Sequence, residues 1–177
     1  FSLASNDETD VNVTPIHYVE GVQVGVSVTN NGGTSTTFEY NNDHGNGVGI
    51  FYSGSSDASG NKGTVELDFG TPVTNLSFDI NDIDAFSANG KNDQVEVRVY
   101  SYEDNSTPIT LTTSEYTIAG DISVSGNIFT SSATAGGTIT FDIAIPVHRI
   151  EFVVTNANAA ISTGSMSISE ISFNIGK

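Results

Sequence analysis

A chain of 177 residues holds one domain-sized core, and its 21 acidic residues against 5 Lys+Arg give a formal net charge of -16. Such a surface repels nucleic-acid backbones and anionic membranes, which are bound through clustered Lys and Arg, and attracts cations and neutral or basic partners. Without cysteine there is no disulfide framework, thiolate metal site or cysteine nucleophile, and no apolar run reaches the roughly 18 to 20 residues that span a bilayer.

The chain opens on Phe1-Ser2-Leu3 without a signal-peptide pattern, as expected for a mature soluble segment of a larger secreted bacterial protein. Residues Asn6 to Asp10 form an acidic tail or supply ligands to an ion at the domain edge. Val22 to Val28 alternates apolar and polar positions, the signature of a half-buried strand, and Thr37 to Tyr40 and Val48 to Tyr52 read as two more. Between them Asn41 to Gly47 is a polar connection, in which Asp43 and Asn46 are candidate ligand-binding residues. Tyr52 is a candidate ring platform beside it, and Asp57 and Asn61 belong to a second oxygen-rich loop, Asp57 to Gly63. Thr64 to Phe69 is again a strand, and Leu76, Phe78 and Ile80 alternate in the next.

The segment Asp79 to Asp93 concentrates acidic and amide oxygens between that strand and Gln94 to Tyr100. Continued alternation from Phe78 and Ile80 carries Asp82 and Asp84 inward, where two carboxylates need a divalent cation or a bulge that turns them out. The expected calcium ligands are Asp82, Asp84 and Asp93, with Asp79 and Asn89 or a loop carbonyl completing the shell. In the following strand Tyr100 and Tyr102 take the parity opposite Val95, Val97 and Val99, which predicts an exposed pair. Further strands are expected at Thr138 to Ile143 and Arg149 to Val154, with a short helical turn near Asn156 to Ile161. Met166 and Ile168 differ in parity from Ile171, Phe173 and Ile175, so a bulge near Ser169-Glu170 is needed to keep all five inward.

Many short strands separated by Gly and Asn turns predict an all-β, antiparallel two-sheet β-sandwich of jelly-roll type, one module over residues 1–177. Catalysis has no anchor: His17, His44 and His148 fit no zinc motif, there is no Gly-x-Ser-x-Gly elbow, and most Glu residues occupy outward strand positions.

The run Gly63 to Asp84, with its Asp68-Phe69-Gly70-Thr71-Pro72-Val73 entry and Asp82-Ile83-Asp84, followed by Asp93 to Val97, resembles the calcium-dependent β-sandwich modules of large secreted bacterial adhesins of the RTX type. The resemblance covers the middle third of the chain and implies adhesion through calcium-dependent capture of a peptide or a carbohydrate by a monomeric extracellular module. Two other readings stay open: a spacer stiffened by calcium, and a carbohydrate-binding module of a secreted polysaccharide-degrading enzyme.

Overall fold

The computed structural model describes residues 16–19, 21–30, 34–41, 47–54, 61–86, 91–157, 164–169 and 171–175. Alternating β-branched and aromatic residues produce fourteen strands among them and no helix. In chain order these are β1 (Ile16–Val19), β2 (Val22–Asn30), β3 (Thr34–Asn41), β4 (Gly47–Gly54), β5 (Asn61–Ile83), β6 (Ala85–Phe86) and β7 (Lys91–Ser101), then β8 (Tyr116–Ala119), β9 (Ile122–Ser125), β10 (Ile128–Ser131), β11 (Gly137–Ile143), β12 (Val147–Asn156), β13 (Gly164–Ile168) and β14 (Ser172–Ile175).

Every pairing is antiparallel. The main path runs β3-β4-β13-β5-β12-β7-β10-β9, with β1, β2, β8, β11 and β14 attached beside it, so one sheet curls into a nearly closed, barrel-like shape. The expected all-β antiparallel class therefore holds.

The organising element is β5, which is 23 residues long. Its first half pairs β2 on one side and β12 on the other, through Val26↔Leu67 and Ile150↔Leu67. Its second half pairs β11, β13 and β14, through Phe141↔Phe78, Ile168↔Ile80 and Ser172↔Ser77. The parts predicted as Thr64 to Phe69 and Leu76 to Ile80 are thus one strand, and it runs on into the supposed loop as far as Ile83.

The inward faces supply a core of Val65, Leu67, Phe69, Leu76, Phe78 and Ile80 from β5, with Val95, Val97, Phe129, Phe141 and Phe152 from its neighbours. Phe78 stacks on Phe141 at 4.7 Å, and Phe141 meets Phe129 edge-on at 5.5 Å. These packed rings stabilise beyond their buried area because their quadrupoles favour such offsets.

Toward the C-terminus strand structure is interrupted between β13 and β14, where a bulge is expected. Met166, Ile168 and Ile171 are buried and Phe173 packs edge-on against Phe69 at 5.5 Å, but Ile175 is 45% exposed. The break thus brings four of the five inward and leaves the last at the rim. Most of the expected helical turn lies outside the described residues; Asn156, its first residue, ends β12 as strand.

Candidate functional site

The acidic segment is shaped by a change of parity within β5. Ile80 is opposite Ile139, whereas Ile83 is opposite Gly137, so β5 has one residue more than its partner across this interval. Asp82 absorbs the irregularity at φ 60°, a left-handed conformation that Asp tolerates better than β-branched residues do. After it Ile83 and Ala85 point inward, while Asp82 and Asp84 are only half-buried. The inward parity expected for those two carboxylates is therefore corrected: the bulge turns them out.

Asp93 is the carboxylate that the fold does bury, with no solvent exposure. It stands in β7 opposite Asn156, its N–H donates to the Asp84 carbonyl at 2.9 Å, and the Asp84 N–H approaches its Oδ2 at 3.4 Å. Asp84 and Asp93 thus meet across the root of the β6–β7 connection. Asp82 faces the start of β11, where a Cβ added to Gly136 would stand 3.0 Å from its Oδ1. That cradle is open because residue 136 is glycine.

Asp79 lies further back in β5, its N–H donating to Ser169 Oγ at 2.7 Å and its carbonyl accepting from Ser169 N–H at 2.9 Å. Asn89, Asp43, Asn46 and Asp57 lie outside the described residues. Of Tyr52 and Asn61 the backbone is described: Tyr52 is in β4 opposite Gly164 and Thr36, and Asn61 opens β5 opposite Thr155.

Among the described residues no three Asp, Glu or His side chains converge to hold a metal ion. The donors of the acidic segment are nonetheless the hard oxygens that calcium prefers: a buried carboxylate at Asp93, Asp84 against it, and Asp82 facing a glycine cradle. They fit such an ion in kind, and a full shell of six to eight oxygens would draw on carbonyl groups as well.

A second polar cluster, unforeseen in the alternation, occupies the outer side of β5, β12 and β7. Glu151 sits directly between Glu66 and Arg98 in register, and Arg149 between Asp68 and Tyr100. Arg98 bonds Glu96 at 2.8 Å and reaches Glu151 at 3.5 Å. Arg149 Nε lies 3.4 Å from Glu151 and 3.7 Å from Glu66, in ion pairs that lack hydrogen-bond geometry, and its Nη2 donates to the Asn105 carbonyl at 3.2 Å. Both arginines of the chain are spent here on neighbouring acids.

Burial pushes the Glu66 carboxyl up, and the nearby Glu151 and Asp68 charges add to this while Arg149 opposes it. The Tyr100 phenol is raised by burial first and then by Glu151, to which its hydroxyl donates at 3.1 Å. Tyr100 is buried, not exposed as parity predicts, because Arg149 covers its ring; Tyr102 is exposed as expected.

Beyond this cluster, Gln94 joins two threonines in one cross-strand row. Its Nε2 donates to Thr130 Oγ1 and its Oε1 accepts from Thr155 Oγ1, both at 2.7 Å. The signal for it was a polar residue at matching register in β10, β7 and β12, which becomes visible only once the pairing is known.

No helix among the described residues is long and apolar enough to cross a membrane. Comparison with family models, with curated proteins and with solved structures gives no match.

Proposed function

We propose that this chain is a non-catalytic, calcium-dependent binding module of a bacterial surface or secreted protein, capturing a peptide or a glycan as a monomer. The observation that carries the reading is Asp93, a carboxylate fully withdrawn from solvent beside Asp84 in a chain of net charge -16. Carboxylate oxygens are the hard donors that calcium prefers, and one divalent cation can draw on Asp93 together with Asp84 and Asp82. In this reading Ca2+ takes oxygens from Asp84 and Asp93, with Asp82 and carbonyl oxygens drawn in as it binds, and it stiffens the domain beside which ligand is captured. The two-sheet, jelly-roll-like sandwich belongs to the same proposal.

The test is a thermal melt in millimolar calcium and in EDTA, paired with peptide and glycan arrays in both buffers. Linkage requires a Tm that rises with free calcium in the parent and much less in Asp93→Asn. A Tm indifferent to calcium sinks the reading. A calcium-dependent Tm with empty arrays supports instead the spacer, in which the ion only stiffens the sheet.

A further inference from the structure

We infer that the free edge of β9 is a docking strand for an extended, cationic peptide, which joins the sheet there by main-chain hydrogen bonds. The inference rests on the capture reading above for its class of function but uses none of the acidic segment. β9 ends the main path of the sheet, and among the described residues β10 is the strand it pairs with.

The hairpin between them fixes which backbone groups are available. Ser125 and Ile128 flank a two-residue turn, Gly126-Asn127, with Gly126 at φ 60°, so Ser125↔Ile128 and Ser123↔Thr130 are the hydrogen-bonded pairs. Val124↔Phe129 and Ile122↔Ser131 are then the other kind, whose N–H and C=O groups point away from β10. Ile122 N–H is turned to the Gly120 carbonyl at 3.2 Å. Val124 is left presenting an N–H and a C=O along the edge that no other described strand covers, and its side chain is 36% exposed.

Open edges are usually guarded by charge, proline or a bulge. Here the guard is missing: from Tyr116 to Phe141 the only charged residue is Asp121. Elsewhere the chain is dense in carboxylates. That contrast selects the occupant, because a second copy carries the same charge of -16 and is repelled, whereas a strand with Lys or Arg at its ends is drawn in and meets an uncharged edge.

The experiment titrates the full chain with a heptapeptide of alternating Thr and Val flanked by Lys, following amide exchange and chemical shifts by NMR at low salt, with and without EDTA. Expected are protection of the Val124 amide only when peptide is present, a several-fold weaker affinity in 0.5 M NaCl, and binding that persists in EDTA. Val124→Pro, which removes the outward donor and spares the β10 ladder, should weaken binding at least fivefold, while Val124→Thr stays within twofold. Should the proline variant not fold, a peptide N-methylated at alternate residues serves with the parent protein and should fail to bind. The inference is overturned by a Val124 amide already protected in the free chain, by protection that grows with protein concentration alone, by indifference to N-methylation, by absence of binding at millimolar peptide, or by loss of binding in EDTA. The calcium reading stands or falls separately, on the melt.

Discussion

Arg149 lies over the ring of Tyr100, its Cζ 4.0 Å from the ring centroid, while the Tyr100 hydroxyl donates to Glu151 at 3.1 Å. A cation on an aromatic face, partly desolvated, contributes about 1 to 2 kcal/mol, and its ion pairs to Glu66 and Glu151 add to that. Arg149→Ala is expected to destabilise by about 2 to 3 kcal/mol, because it also leaves Glu66 facing Glu151 with Arg98 as the remaining cation, on the far side of Glu151. Arg149→Lys keeps the charge but loses the planar stacking and should cost about 1 kcal/mol. Urea unfolding of the two variants measures the difference.

Glu66 makes a pH-dependent prediction. Its folded carboxyl titrates above its unfolded value, so whatever stability it adds is present at acid pH and is lost as pH rises through the raised folded value. Glu66→Gln removes the charge that burial and Glu151 disfavour. The variant should gain Tm relative to the parent at pH 7, and the gain should shrink as pH falls through the carboxylate range. A difference independent of pH would contradict the account.

Asn127 closes the β9–β10 turn and clamps the excursion after β7: its Oδ1 accepts from Leu111 N–H at 2.9 Å and its Nδ2 donates to the Ile109 carbonyl at 2.7 Å. Each bond contributes about 1 kcal/mol net, and losing the side chain strands two part-buried backbone groups. Asn127→Ala should therefore cost about 2 to 3 kcal/mol and release residues near Leu111 to faster amide exchange. Unchanged exchange there would show that the clamp is dispensable.

At the bulge, Asp82→Val places a β-branched residue at φ 60° and should destabilise by about 1 to 3 kcal/mol in EDTA. Asp82→Asn tolerates the same backbone and should be close to neutral in EDTA, while reducing the rise of Tm with calcium. The pair separates backbone strain from coordination. Gly137→Ala tests the neighbouring chain: its Cβ would stand 2.6 Å from Ile122 Cδ1 and 3.2 Å from the Ala119 carbonyl, so a loss of about 1 to 3 kcal/mol is expected.

The strands were legible where one face is apolar, as in Val22 to Val28 and Gln94 to Val99, because period-two alternation reports burial directly. What alternation does not encode is a change of parity. Ile80 and Ile83 are both inward because the bulge at Asp82 adds a residue between them, and alternation alone carries Asp82 and Asp84 to the wrong side. Asp93 was singled out, but its complete burial depends on the pairing of β7 with β12. Tyr100 departs from its parity for a related reason: an outward strand position becomes buried when a long side chain from the next strand lies over it. Cross-strand partners such as Arg149 and Gln94 with Thr155 are set by register, which no single segment reveals.

The length of β5 governs how this chain must assemble. Its partners β2 and β14 lie toward opposite ends of the described chain, Leu67 being flanked by Val26 of β2 and Ile150 of β12, and Ile80 by Ile139 of β11 and Ile168 of β13. A chain emerging from its N-terminus can pair the first half of β5 with β2 at once, but the second half finds no partner until β11 is made, more than fifty residues later, so completing the sheet should be slow, as non-local β pairing is. Removing β14 should leave the Val73–Ser77 stretch of β5 without that partner, an open edge prone to pairing with other chains.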